Sequence, residues 1–365
     1  MLNNKTIAVV IPAYNEETQI GMVIESMPDF VDRIIIVNDC SKDRTADVVK
    51  EYIAKDNSPR VTLKPFPKRI ERNRYNEAEM VLQESNEAEH IHYVPSEVVN
   101  INQETDRIIL INNLKNGGVG AGIARGYKWC KDHMIDCTAV MAGDGQMDPA
   151  ELESICAPVI YDNVDYVKGN RLIHRSAKKV IPTTRFIGNS ILSILTKIAS
   201  GYWRVSDTQT GYTAISLTAL QAIDIYKIYR SYGMPNDLLV KLNIVSCSIK
   251  EVEIKPVYRV GEQSKMKVFK VIPRVSWLLI KLFFKRLWTK YLFRDFHPLF
   301  LFYNFSFLLW IATLPYLVKI IKAFIYGTTL SHEPLLAFFF LFTASFQSLI
   351  FAMWMDIQDN ERLYK

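Results

Sequence analysis

Cysteine is scarce in this 365-residue chain, and the five present (Cys40, Cys130, Cys137, Cys156, Cys247) are odd in number and never form C-x-x-C. That excludes a disulfide framework and a cysteine zinc site, and it marks the thiols as reduced in a cytosolic setting. Glycine and proline are few, at 15 each; with 49% apolar and 22% charged residues, a disordered, collagenous or low-complexity chain is excluded. A secretory leader is not expected: the apolar stretch from Thr6 to Ile11 is too short for a signal core, meets no small-residue cleavage site, and reads as a first buried strand. The excess of positive charge is small and local. Of a net +6, residues 255–294 alone hold eleven Lys/Arg, which points to a membrane surface or a phosphate and away from nucleic acid.

What the chain does contain is two long runs without any charge. Pro298 to Val318 gives 21 such residues and Pro334 to Met355 gives 22. As helices rising about 1.5 Å per residue, each is about 30 Å long and spans a bilayer. Lys281, Lys285, Arg286, Lys290 and Arg294 precede the first run, and Arg362 and Lys365 follow the second. Lys319 and Lys322 oppose this bias, but the balance still predicts an integral membrane protein with the N-terminal domain and both termini cytoplasmic. Residues 268–294 interleave Trp, Leu and Phe with basic side chains, as expected of helices lying in an anionic lipid interface.

Upstream, short β-rich runs alternate with amphipathic stretches. Strands are expected near 6–11, 33–38, 107–112, 137–142 and 164–168, and helices over 17–27, 43–54, 119–132 and 150–161. The alternation predicts βαβ units, hence an α/β fold with a Rossmann-like, mostly parallel sheet. The expected division is an α/β domain over 1–260 with an insertion at 64–106, juxtamembrane amphipathic helices over 261–297, two transmembrane helices over 298–356 and a cytoplasmic tail over 357–365. The insertion segregates charge. Its first eleven residues carry Lys64, Lys68, Arg69, Arg72 and Arg74, while Glu77 to Asp106 has eight acids and no Lys or Arg. His90 and His92 within it are not expected to bind metal.

Ligands of such sheets bind beyond the carboxyl ends of the strands. Polar loops fall there: PAYNEE, NDCSKDRT, NGGVGAG and GDGQMD. Asp39 is placed to hold a base or ribose hydroxyls, or to cap a turn. Asp144 and Gln146 alternate on an extended loop and offer two oxygen ligands to a hard cation, Mg²⁺ or Mn²⁺, although a lone D-G-Q is also a tight turn. NGGVGAG lacks the dinucleotide-fingerprint spacing and reads as a close backbone approach at a helix start.

Taken in order, PAYNE (12–16), VNDCSKDRT (37–45), NGGVGAGIARGY (116–127), MAGDGQMDP (141–149), KGNR (168–171), SDTQTGYTA (206–214) and RVGEQSK (259–265) resemble the family 2 inverting glycosyltransferases. More narrowly they resemble polyprenyl-phosphate glycosyltransferases related to dolichol-phosphate mannose synthase, over about residues 5–270. The resemblance implies a GT-A catalytic domain with a two-helix transmembrane hairpin. The donor would be a nucleotide-diphosphate sugar, with a UDP-sugar favoured and GDP-mannose the alternative. The acceptor would be a polyprenyl or dolichyl phosphate, and the partners the bilayer and, by analogy, further copies of the chain. It assigns Pro12, Tyr14, Glu16, Asp39 and Asn116 to the nucleotide and Asp144 with Gln146 to the metal. It places Arg171, Arg185, Arg259 and Lys265 around the donor diphosphate and acceptor phosphate. The string MAGDGQMD departs from the family's D-x-D, with Ala142 in place of the first carboxylate.

A lipid monophosphate has a second pKa of about 6 and is already a dianionic nucleophile, so this reading requires no general base. Asp144, Arg171, Arg259 and Lys265 would align the phosphate and stabilise the leaving diphosphate. Two other readings remain open at this point. One is a family 2 transferase with a hydroxyl acceptor, using Asp207 or Asp237 as base. The other is a catalytically silent nucleotide-sugar-binding membrane protein, for which Ala142 is the main support.

Overall fold

The computed structural model describes residues 1–56, 63, 72–257, 268–329 and 331–365, and at 184–185 and 268–272 only the backbone. The short strand expected near Val61 falls outside these residues.

Runs of β-branched residues form the strands. In chain order the elements of the first half are β1 (Ile7–Ala13), α1 (Ile20–Glu25), β2 (Arg33–Asn38), α2 (Thr45–Lys55), α3 (Glu77–Ala88), β3 (Ser96–Val98), β4 (Ile108–Asn113), α4 (Val119–Asp132), β5 (Cys137–Val140), α5 (Leu152–Tyr161) and β6 (Tyr166–Asn170). There follow α6 (Ala177–Val180), α7 (Thr183–Ser200), β7 (Thr213–Ser216), α8 (Leu217–Ala222), α9 (Met234–Ile244) and β8 (Ile249–Glu253). The eight strands make one sheet in the order β3-β4-β2-β1-β5-β7-β6-β8. Six run in one direction; β3 and β7 pair antiparallel to their neighbours. The expected α/β class and parallel core hold. The two antiparallel strands escape a reading by βαβ alternation because they are three and four residues long.

β1 is buried on both faces, as parallel central strands are. Ala8 and Val10 point into a layer with Ile123, Ala124 and Tyr127 of α4 and with α8 and α9. Ile7, Val9 and Ile11 point into the opposite layer with α1, Val49 of α2 and α5. Within the insertion, α3 buries no residue, whereas β3 is hydrogen-bonded to β4 and closes that edge of the sheet. Beneath it the fully buried Lys128 ammonium donates to Asn86 O at 2.9 Å and Asp132 Oδ1 at 2.8 Å.

The remaining helices are α10 (Val268–Trp288), continued by a π-helical turn over Thr289–Arg294, then α11 (Pro298–Tyr326) and α12 (His332–Glu361). α11 and α12 have 29 and 30 residues, and only 6% and 17% of their most apolar stretches are buried. They are long and apolar enough to cross a bilayer, and their apolar surfaces are largely exposed, unlike those of core helices. They form an antiparallel hairpin held by two reciprocal bonds, Ser306 Oγ to Ser345 O and Ser345 Oγ to Ser306 O, each 2.9 Å. Small residues at that crossing let the backbones approach.

α10 buries Val275, Leu279, Phe283 and Leu287 in a third core with Leu192 and Ala199 of α7, Tyr303 of α11 and Ala352 of α12. Trp277, Ile280, Phe284 and Trp288 stay exposed on it, beside the exposed Lys281 and Lys285. At the centre of this junction Arg286 and Asp356, both fully buried, pair through two bonds of 2.7 and 2.8 Å. Arg286 also donates to the α7 carbonyls of Ala199 (3.0 Å) and Ile198 (3.1 Å). Asn360 bridges Tyr291, Asp356 and Asn243 of α9, and Lys290 donates to Asn360 and Asn243. Gly201, at φ +78°, ends α7 against this group; a Cβ there would lie 2.5 Å from Arg286 Nη1. One network therefore joins α7, α9, α10 and α12. Removing one partner of a buried pair strands the other, so Asp356→Ala should lower stability by about 3 to 5 kcal/mol, read as the loss of unfolding temperature in detergent.

Candidate active site

The loops after β1, β2, β4 and β5 meet at one rim, as the motif order predicts, and short polar residues stitch them together. Asn15 N donates to Ser41 Oγ at 3.0 Å, Lys42 N to Asn15 Oδ1 at 2.9 Å, and Glu16 N to Thr45 Oγ1 at 2.9 Å. Asn15 and Cys40 take left-handed backbone conformations, φ 54° and 59°, to make the turns. Pro12 sits inside β1, and Tyr14 and Glu16 are half-buried just beyond it.

Asp39 directly follows β2 and is buried. Its Oδ1 accepts from Asn113 Nδ2 and Gly117 N, both 2.8 Å, and its Oδ2 from Gly118 N at 2.7 Å. The exposed Asn116 donates to the Asp39 carbonyl at 3.2 Å. The first amides of the NGGVGAG segment are thus met by an internal carboxylate, the charge a helix start favours. Gly120 N donates to Arg230 O at 3.0 Å, and a Cβ at Gly120 would lie 2.1 Å from Tyr229 O. The glycines serve a close approach, as expected, but to the 229–230 backbone. Sequence shows the small residues without showing what they approach.

After β5, Gly145 at φ +72° turns the chain, and Gln146 N donates to Asp144 Oδ1 at 3.1 Å. Asp144 and Gln146 are half-buried neighbours, and among the described residues the buried Gln146 side-chain nitrogen has no hydrogen-bond partner. An amide end whose O and N can exchange places, buried and unmatched, is suited to an added ligand. Among the described residues no three His, Cys, Asp or Glu side chains cluster as a metal site. Asp148 is turned to structure: it caps the next helix through Ala150 N at 2.9 Å.

β6 carries KGNR onto the same rim. Arg171 grips Asp207 through Nε at 2.8 Å and Nη2 at 3.1 Å, and its own N–H reaches Asp207 Oδ2 at 3.2 Å. Burial would raise the fully buried Asp207 carboxyl, but the Arg171 and Lys168 charges outweigh it and hold the group below the usual carboxylate range. Asp237 accepts from Tyr229 N at 2.8 Å and pairs closely with Lys241. Both acids are already engaged by protein partners, whereas a hydroxyl acceptor would need a carboxylate open to it. Arg185 lies on α7 with its side chain outside the described residues, and Arg259 and Lys265 lie outside them altogether.

Two groups at this end have no assignment from sequence. Lys168 is fully buried and donates to Thr210 O at 2.6 Å; burial, opposed in part by Asp207 and Glu251, brings it down to about 8. Glu251 sits below Asp207 and is pushed up by burial. The hint in sequence is that both are charges in short, otherwise pairing strands.

The folded value for Lys168 lies below the ordinary 10.5. Its protonated form is therefore penalised in the fold, and its contribution improves as pH rises from about 8 to about 10.5 and is worst below that window. The unfolding temperature of the native protein, minus that of Lys168→Met, should increase between pH 7.5 and pH 10. Overpacking at the helix start makes Gly120→Ala destabilising by about 1 to 3 kcal/mol, measured by chemical unfolding.

Residues 8–84 match the family described as glycosyl transferase family 2. Over 256 residues the chain is 28% identical to a UDP-N-acetylglucosamine–dolichyl-phosphate N-acetylglucosaminyltransferase of Methanococcus voltae, covering 70% of this chain and 87% of that protein. Over 299 residues it is 22% identical to a dolichyl-phosphate beta-glucosyltransferase of Trichomonas vaginalis, covering 78% and 75%. Among solved structures, glucosyl-3-phosphoglycerate synthase from Mycobacterium tuberculosis aligns at 16% identity and a TM-score of 0.46, covering 78% of this chain and 80% of that one. With its ordered rim motifs and α/β sheet, the chain is a glycosyltransferase that carries a family 2 domain.

Proposed function

We propose that the protein transfers a sugar from a nucleotide-diphosphate sugar, a UDP-sugar before GDP-mannose, to a polyprenyl or dolichyl phosphate with inversion. The observation that carries this reading is the weld between the catalytic sheet and two bilayer-length helices through Arg286 and Asp356. A site so fixed suits an acceptor that cannot leave the membrane. The curated relatives named above act on dolichyl phosphate. The state of Asp207 and Asp237 supports the same acceptor, because a phosphate dianion brings its own nucleophilic oxygen.

In this reading Pro12, Tyr14, Glu16 and Asn116 flank the nucleotide. Asp39 acts mainly by holding the loop that carries Asn116, since its carboxylate already accepts three bonds. Arg171, with its plane set by Asp207, holds the acceptor phosphate, together with Arg259 and Lys265 on the RVGEQSK segment. Asp144 and Gln146 would hold Mg²⁺ or Mn²⁺. One carboxylate and one amide suffice for a hard ion that keeps waters and takes diphosphate oxygens, so Ala142 does not preclude it. The ion would supply charge to the departing nucleoside diphosphate. Both termini and the catalytic domain lie on the cytoplasmic side, with the Trp277, Ile280, Phe284 and Trp288 face of α10 at the lipid headgroups.

The test is transfer of labelled sugar from UDP-glucose, UDP-N-acetylglucosamine and GDP-mannose to a polyprenyl monophosphate, in detergent with Mg²⁺ or Mn²⁺. One donor should label the lipid, and Asp144→Asn should lower the rate by about a hundredfold or more. No labelled lipid from any donor, with the protein folded, would refute the acceptor.

A further inference from the structure

Beyond α12 the chain turns back onto the catalytic sheet. Ile249 N donates to Leu363 O at 2.7 Å, and Lys365 N donates to Ile249 O at 3.0 Å, so residues 363–365 lie parallel along the free edge of β8. Leu363 is buried in the core on the α4 side, and Arg204 pairs with Glu361 and lies 5.9 Å over the Tyr364 ring. This docking brings the Tyr364 hydroxyl to Glu251 Oε2 at 3.3 Å.

Glu251 receives three further donors. Asn170 Nδ2 reaches Oε2 at 3.0 Å, and the N–H groups of Ser206 and Asp207 reach Oε1 at 2.9 and 3.1 Å. Four donors fill the roughly four lone-pair sites of a carboxylate. Two of those donors belong to residues that hold Arg171. Asp207 grips its guanidinium, and Asn170 Oδ1 accepts from Leu172 N at 2.9 Å and Ile173 N at 3.3 Å, which fixes the turn directly after it. Asn170 and Asp207 are both fully buried, so neither has room to settle elsewhere.

We infer that Glu251 and Tyr364 are positioning residues for Arg171, and that the segment following the second bilayer-length helix completes the acceptor side of the site. The inference rests on the reading that Arg171 holds the acceptor phosphate. Its physical content is that the orientation of one guanidinium is set from the membrane end of the chain. Glutamine at 251 offers only two acceptor sites to four donors and turns an NH₂ toward a pair of them. Tyr364→Phe removes one hydroxyl and leaves the ring beside Arg204.

The experiment uses the full-length protein in detergent, a polyprenyl monophosphate, and whichever of UDP-glucose, UDP-N-acetylglucosamine or GDP-mannose gives labelled lipid. Kinetics are taken with each substrate varied in turn. Glu251→Gln should raise the acceptor KM about tenfold and Tyr364→Phe about threefold, in keeping with a charged and a neutral hydrogen bond, while the donor KM stays within about twofold. A purely structural role would lower the unfolding temperature and the active fraction and leave both KM values in place. Should Glu251→Gln fail to fold, Tyr364→Phe alone decides. Lipid transfer with an unchanged acceptor KM in the folded variants overturns the inference alone. Absence of transfer by the unaltered protein overturns the acceptor reading and this inference with it.

Discussion

The buried pair of Arg286 and Asp356 is the constraint on which the arrangement of this molecule depends. Taking both charges out of water costs several kcal/mol each, and two parallel bonds of 2.7 and 2.8 Å, with further donors and acceptors around them, offset that cost only in one geometry. The guanidinium also needs the α7 carbonyls of Ile198 and Ala199, and the carboxylate needs Tyr291 and Asn360. If α12 slides or rotates against α10, several buried polar groups lose partners together. Apolar packing alone would tolerate such slippage, because leucine and phenylalanine surfaces adapt to one another. The pair supplies register more than it supplies stability.

Register is what a membrane transferase with a fixed site requires. The apolar junction and the Arg286 network hold α7, α9, α10, α11 and α12 to one another, so the exposed Trp277 and Trp288 face of α10 is fixed relative to the helices that pack on the sheet. An acceptor confined to the membrane then needs only lateral diffusion to reach the site. Contact between the sheet edge and residues 363–365 adds a second attachment directly beyond Asp356 and Asn360, so the same end of α12 is held both by the buried junction and by β8.

Much of this is legible in sequence, and the limits are physical. The strand expected over 33–38 and the helix expected over 119–132 both occur with those bounds, as β2 and α4, because β-branched runs and a 3.6-residue pattern are local signals. Composition alone announces α11 and α12. The motif loops converge on one rim, as their order implies. What sequence does not show is which partner each polar group takes. Asp39 has the look of a ligand-binding carboxylate, and its oxygens are filled by Asn113, Gly117 and Gly118. Arg286 and Asp356 are two charges among many near the spans, 70 residues apart, and only folding makes them a pair. Glu251 lies on a five-residue edge strand, where a single acid ordinarily faces water.

The distribution of acids at the rim bears on the chemistry. Asp39 holds the β4–α4 loop, Asp148 caps a helix, Asp207 holds Arg171, Glu251 holds Asp207, and Asp237 is tied to Lys241 and the Tyr229 amide. Each of these carboxylates is already engaged by donors of the protein, and Asp207 is held below the usual carboxylate range by Arg171 and Lys168, which is the wrong preparation for drawing a proton from a sugar or lipid hydroxyl. Such a site instead suits a nucleophile that arrives already ionised, where the protein's tasks are to hold like charges near one another and to keep the attacking oxygen in line. Arginine held in a plane by a buried carboxylate meets both demands at once, since its orientation is fixed before the substrate arrives and its charge is opposite to that of both substrates.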